Sequence, residues 1–284
     1  MKIDRIDLYS YFKIKRPKGA LGYLNVYQQE ISNQGMQNRL RPAMIVFPGG
    51  GYGMLSDREK EPIAIRFLAE GYNTFTVEYS LAPLYFPTQL IEGCMAVAYV
   101  KENAKSLGVD ADHVAIIGFS AGGHLCGTIA TLFDSEVVKK ALKKRVVYAR
   151  PDAVVFSYAV VKGTGKYKDG ITISRVSGGD PELKNLLSVD KQVNKNTPPA
   201  FIWTTVDDQM VPSLNSIDLA TAYKKAGVSF ELHVFTSGVH GLALATREGA
   251  FSDEDNDHFI NLEAQSWVKM AVNFLKNKGF TIKD

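Results

Sequence analysis

The chain has 284 residues, 45% hydrophobic and 22% charged, fractions typical of folded domains that exclude a disordered tail or a fibrous repeat. Its 33 Lys and Arg against 30 Asp and Glu leave a net charge of +3, too small for a dedicated nucleic-acid binder. The one dense basic run, Lys139, Lys140, Lys143, Lys144 and Arg145, reads as the solvated face of a helix.

Residues 1–16 alternate apolar with polar or charged side chains and contain no continuous apolar stretch, so no secretory signal is expected. Residues 3–14 and 24–29 read as extended segments that add an antiparallel edge to a sheet. Short β-branched runs follow at 43–47, 73–77, 114–117, 153–156, 200–205 and 230–235. Most are nearly continuous in apolar residues, as strands covered on both faces are. Between them lie segments with helical spacing at 63–69, 90–104, 121–133, 214–226 and 259–275. Strand and helix in alternation predict a mostly parallel sheet of about eight strands with helices on both faces. No linker divides the chain, so one domain over 1–284 is expected. The longest aperiodic section, 160–197, should be an excursion at the sheet's edge that lines a site.

Cys94 and Cys126 sit in apolar helical segments, and two cysteines in a chain this long make no disulfide framework. Free thiols in a reducing compartment, and hence a cytoplasmic protein, are expected. No stretch approaches the roughly 18 apolar residues of a membrane span. No cluster of His, Cys and carboxylates has ligand spacing, so neither metal nor cofactor is implied.

The chemistry concentrates in four places. Gly118-Phe119-Ser120-Ala121-Gly122 follows the strand at 114–117 and opens the helix at 121. A serine on such a turn is lifted clear of the sheet, and glycines flank it because the backbones come too close for a Cβ. A serine hydroxyl needs a base to take its proton. Of five histidines, His113 lies at the far end of the strand, His124 is one turn into the helix, and His233 is within a strand. His258 opens the last helix beside the acidic stretch 253–257. His240 lies in a glycine-flanked loop after the final strand and is the expected base. Asp208, following the strand at 200–205, is the favoured orienting acid, with Asp207 as the alternative. The order Ser, Asp, His belongs to the α/β-hydrolase fold. Pro48-Gly49-Gly50-Gly51-Tyr52, after the strand at 43–47, can turn backbone amides inward. The N–H groups of Gly50 and Gly51, with that of Ala121, are the expected oxyanion donors. A phosphate cradle fails because no Lys-Ser/Thr follows the glycines.

These residues resemble the α/β-hydrolase esterases related to hormone-sensitive lipase and bacterial acetyl esterases, above all the acetylxylan esterase or sugar-ester hydrolase-like branch. The resemblance rests on residues 48–52, Glu78-Tyr79-Ser80-Leu81-Ala82-Pro83, 118–125, Thr197-Pro198-Pro199 through Asp208 to Pro212, and Gly238-Val239-His240-Gly241-Leu242. It spans roughly residues 24–277. It implies Ser120 as nucleophile, Asp208 as acid and His240 as base. Two departures stand out: Pro48 replaces the histidine of the commoner His-Gly-Gly-Gly loop, and few residues precede the first matching strand to build a lipid-binding cap.

The expected activity is a serine carboxylesterase that removes short acyl groups, acetyl above all, from a small alcohol, sugar or oligosaccharide, with no nucleic-acid or membrane partner. Tyr52, Tyr79, Tyr158 and Tyr167 are candidates to offer aromatic surface to a sugar ring. An amidase or peptidase is the alternative, since the elbow also looks like that of prolyl-peptidase catalytic domains. A non-catalytic ligand sensor of the same fold is the third.

Overall fold

A computed structural model describes residues 1–30, 38–251 and 256–284. Its strands are β1 (Lys2–Asp7), β2 (Tyr23–Gln28), β3 (Arg41–Phe47), β4 (Asn73–Glu78), β5 (Val109–Phe119), β6 (Ala153–Ser157), β7 (Ala200–Thr205) and β8 (Phe230–Phe235). They form one eight-stranded sheet in the order β1-β2-β4-β3-β5-β6-β7-β8. β4-β3-β5-β6-β7-β8 pair in parallel, while β1 on β2 and β2 on β4 are antiparallel. This is the mostly parallel sheet with an antiparallel edge that the strand and helix pattern predicts.

The continuous apolar runs have a direct explanation. Along β3, Ala43, Ile45 and Phe47 enter one core while Met44 and Val46 enter the other. β5 does the same with Val114 and Ile116 against Ala115, Ile117 and Phe119. Successive side chains point to opposite faces, so a strand buried on both must be apolar throughout. One core is closed by α3 (Thr88–Glu102), α4 (Ala121–Leu132) and α9 (Leu214–Ala226), the other by α2 (Glu61–Ala69) and α10 (Trp267–Lys276). The edge strand β1 is largely exposed and charged, which discourages pairing with another chain.

Three local expectations are corrected. The segment 3–14 is not extended throughout: the Asp7 side chain accepts the Ser10 N–H, and α1 (Leu8–Phe12) begins there. The last helix starts at Trp267 and not at 259. Asn261 instead accepts the Ala264 N–H and donates to Ser237 O, and this side-chain bonding competes with helix in the preceding residues. Leu262, inside the segment read as helical, is 84% exposed. The excursion 160–197 is not at the sheet's edge either. It joins the neighbouring strands β6 and β7 and carries α6 (Gly170–Ser177), α7 (Pro181–Leu186) and α8 (Val189–Gln192). Asp169 and Asp180 cap α6 and α7. These helices are too short for periodicity to reveal.

Residues 253–255 of the acidic stretch near His258 lie outside the described residues. Cys94 and Cys126 are free and buried. Among the described residues, no helix is long and apolar enough to cross a membrane.

The chain's two tryptophans meet in the second core: Trp203 and Trp267 stack with ring centroids 5.1 Å apart, and both are fully buried. Trp267 also meets Phe67 and Phe119 at 6.2 and 6.0 Å, which ties α10 to the strand that leads into Ser120. Trp267→Ala should lower unfolding free energy by about 3–5 kcal/mol, the usual cost of emptying a large aromatic site. Urea denaturation followed by far-UV circular dichroism checks this, since the indole signal itself changes.

Candidate active site

β5 runs into α4 through Ser120, which holds φ 51° and ψ −116°. A non-glycine residue there costs roughly 1–3 kcal/mol and must be fixed by its surroundings. The Ser120 N–H donates to Ser157 O at 3.0 Å, and its carbonyl accepts from His124 N at 3.0 Å and Val160 N at 3.1 Å. The glycines are sterically required. A Cβ on Gly118 would lie 2.2 Å from Gly122 O, and one on Gly122 would lie 2.1 Å from Phe47 O.

Ser120 Oγ lies 2.8 Å from His240 Nε2, and His240 Nδ1 lies 2.7 Å from Asp208 Oδ2. Asp208 has a fully buried side chain whose other oxygen accepts the Met210 and Val211 N–H groups at 2.9 and 2.8 Å. An ionised carboxylate only accepts, so His240 Nδ1 carries the proton and Nε2 turns a lone pair to the Ser120 hydroxyl. Asp207 is exposed and does not reach His240. Asp208 follows β7 and His240 follows β8, so parallel strands bring both to the carboxyl end of the sheet. His113 instead pairs with Asp110, His233 pairs with Glu231, and His258 packs on Phe259.

The glycine loop after β3 lies beside Ser120: a Cβ on Gly49 would sit 3.1 Å from Ser120 Cβ. Gly50 O accepts from Gly53 N and Met54 N at 3.0 and 3.2 Å, which turns the other side of the Gly50–Gly51 peptide, its N–H, away from that turn. Among the described residues, no protein group accepts the N–H of Gly50, Gly51 or Ala121. Ala121 is buried, whereas Gly50 and Gly51 are half-buried, so their N–H groups can be reached by water or by a ligand oxygen. Arg175, on α6, donates to Gly51 O at 3.1 Å, and its guanidinium lies where side chains at Gly51 and Gly53 would be. The excursion 160–197 is thereby attached to this loop.

Three of the four sequence-selected tyrosines cannot offer a ring face to a sugar. Tyr52 and Tyr79 are fully buried and Tyr158 is 2% exposed. Each is held by its hydroxyl: Tyr79 donates to Pro48 O at 2.5 Å, Tyr52 bonds His124 Nδ1 at 2.8 Å, and Tyr158 donates to Glu59 Oε1 at 2.6 Å. Burial, then the Glu59 charge, pushes the Tyr158 phenol well above its ordinary range, so it stays a donor. Its ring meets the His240 ring edge-on at 5.1 Å. Tyr167 is half-buried beneath Lys166 Nζ, 5.1 Å from its ring, and its carbonyl accepts from Asn215.

Glu59 is the residue that sequence reading missed. It is 4% exposed, and its Oε2 accepts the Gly49 N–H at 2.9 Å. Its partners lie 10 and 99 positions away along the chain, so no spacing rule identifies it. His124 is buried between Tyr52 and the Leu187 carbonyl, 2.8 Å from Nε2. That carbonyl demands an Nε2–H donor, so Nδ1 accepts from Tyr52. Five of the seven non-glycine residues with positive φ among those described, Tyr52, Ser120, Tyr158, Ala243 and Ala245, belong to this network or to the His240 loop. Among the described residues, no three or more His, Cys, Asp or Glu side chains group to hold a metal ion.

The sheet order and the turn that carries Ser120 define an enzyme of the α/β-hydrolase fold, a hydrolase. The BD-FAE family profile matches residues 30–223, and the chain belongs to that family, related to hormone-sensitive lipase. It is 37% identical over 215 residues to endo-1,4-beta-xylanase B of Butyrivibrio fibrisolvens, covering 73% of this chain and 33% of that protein. It is 30% identical over 213 residues to the acetylxylan esterase of Xylanibacter ruminicola, covering 72% and 42%. The chain therefore spans well under half the length of these curated relatives. A solved acetyl ester-xyloside bifunctional hydrolase from Caldicellulosiruptor lactoaceticus superposes with a TM-score of 0.83 at 32% identity, covering 98% of this chain and 97% of that one.

His124 generates a pH prediction. Burial lowers its pKa from 6.5 to about 4. Below pH 6.5 the unfolded chain takes up a proton there that the folded chain refuses. Stability present above pH 6.5 is thus lost as pH falls towards 4, by about 3 kcal/mol in total. Urea midpoints between pH 7 and pH 4 should fall less steeply, by one proton's worth, in His124→Gln than in the wild type.

Proposed function

We propose that residues 1–284 act as one α/β-hydrolase domain, a serine carboxylic-ester hydrolase that removes short acyl groups, acetyl above all, from a sugar or other small alcohol. The observation that carries this reading is the Ser120–His240–Asp208 relay, at 2.8 and 2.7 Å, beside three unpaired backbone N–H groups. The acetyl group and the sugar are supported by the similarity to an acetylxylan esterase and to an acetyl ester-xyloside hydrolase.

Ser120 Oγ attacks the ester carbonyl while its proton passes to His240 Nε2, and Asp208 stabilises the imidazolium. Negative charge gathers on the former carbonyl oxygen, and the N–H groups of Gly50, Gly51 and Ala121 are the donors assigned to it in this reading. The bond to the alkoxy oxygen then breaks, and His240 returns its proton to the leaving alcohol. Water enters, gives its proton to His240 and attacks the acyl-enzyme. Collapse frees the carboxylic acid and restores the Ser120 hydroxyl. Water is the second substrate, so the chemistry calls for no cofactor. In this reading the excursion 160–197, bonded to the glycine loop through Arg175, lines the substrate's approach.

Hydrolysis of p-nitrophenyl esters from C2 to C12, by the wild type and Ser120→Ala side by side, tests the reading. The expected result is a rate highest at C2–C4 and a kcat lower by at least about 10⁴-fold in the variant, which stays folded. A preference for C8 or longer chains overturns the short-acyl assignment. Faster turnover of p-nitroanilides than of esters favours the amidase, and retained activity in Ser120→Ala removes the serine mechanism.

A further inference from the structure

The turn Asp57–Glu59 follows the glycine loop and precedes α2, outside the relay that carries the proton. The side chains of its last two residues diverge. Glu59 points to the glycine loop, where Oε2 accepts the Gly49 N–H at 2.9 Å. The same turn returns the Ser56 N–H to Gly49 O at 3.0 Å, so both backbone groups of Gly49 are held by residues 56–59. Glu59 Oε1 accepts the Tyr158 hydroxyl at 2.6 Å, and the Tyr158 oxygen accepts the Ala243 N–H at 2.9 Å. Arg58 points the other way, donating from Nη2 to Gly241 O at 2.6 Å and from Nε to Gly249 O. Its guanidinium lies over Phe251 and Phe259, 4.2 and 4.5 Å from their centroids.

We infer that Glu59, aided by Arg58, is a positioning residue that locks the oxyanion loop and the His240 loop into one register. The inference rests on the serine-esterase reading above. Gly49 immediately precedes the proposed donors Gly50 and Gly51. Gly241 adjoins His240, and Ala243 is three residues beyond it. The loops leave different strands, β3 and β8, which are separated in the sheet by β5, β6 and β7. No sheet hydrogen bond links them, and the turn 57–59 does. Both groups facing Glu59 are donors, since Tyr158 uses its oxygen to accept from Ala243 and so offers its proton. Only a carboxylate supplies two acceptors in that place. A glutamine of the same size supplies one acceptor and an NH2 group, so one of the two links must break. Displacement of a catalytic group by about 1 Å can cost on the order of 100-fold in rate.

The test compares Glu59→Gln, Tyr158→Phe and the double variant on p-nitrophenyl acetate, with melting temperatures measured in parallel. The expected result is a 10- to 100-fold fall in kcat for Glu59→Gln with KM within about twofold, in protein that is folded at the assay temperature. Because both substitutions cut one chain of bonds, the double variant should lose no more than the larger single loss. Losses that multiply overturn the coupling. An unchanged kcat in folded Glu59→Gln overturns the inference. So does a loss that vanishes when the assay is cooled below the variant's melting range. Should Glu59→Gln not fold, Tyr158→Phe alone must show the same kcat-only loss. Inactive Ser120→Ala alongside unimpaired Glu59→Gln overturns this inference alone, whereas active Ser120→Ala overturns the serine reading on which it rests.

Discussion

The site depends on a crossing of backbones at the turn between β5 and α4. With hydrogen alone on the Cα atoms of Gly118 and Gly122, α4 can start directly against the ends of β5 and β3. Any Cβ there would fall inside a neighbouring carbonyl. This contact lifts Ser120 above the sheet in a conformation that an L-residue resists, and it sets the glycine loop after β3 beside the hydroxyl. The backbone bonds from Ser120 to Ser157, Val160 and His124 then spread the strain over β6 and α4.

Around that crossing lies a buried polar network that is satisfied at the points where it bears load. Tyr79 holds Pro48, and Glu59 holds Gly49. Tyr52 and His124 join the glycine loop to Leu187 in the excursion, while Tyr158 and Ala243 join it to the His240 loop. A buried polar group costs stability unless paired, so these residues allow few alternative arrangements. Tyrosines selected as sugar platforms thus turn out to be struts. Their rings fill space, and their hydroxyls fix the loops that present the proposed donors and base.

The fold was legible because burial on both faces of a parallel sheet leaves a plain mark: unbroken apolar runs bounded by helical periods. Boundaries failed where a side chain replaced a backbone partner, as at Asp7 and Asn261, since a single cap residue carries little pattern. The helices of the excursion failed for a related reason, being too short for a period to show. Ser120, Asp208 and His240 were selected from strand-end positions, and the structure brings the three within hydrogen-bonding reach. Asp207 could be set aside only by geometry, for adjacent residues on a strand end differ in direction and not in pattern.

What the sequence by itself determined was the layered architecture, the glycines at the turn, and which residue types stood at the carboxyl ends of strands. These follow from local sterics and from side-chain periodicity, which any short window of sequence contains. Only the tertiary structure decided that Tyr52, Tyr79 and Tyr158 face inward, that Arg175 attaches the excursion to the glycine loop, and that Glu59 bridges two loops. Those roles depend on what stands opposite a side chain. Residues far apart in the chain meet through sheet order and helix packing, which leave no spacing in the sequence.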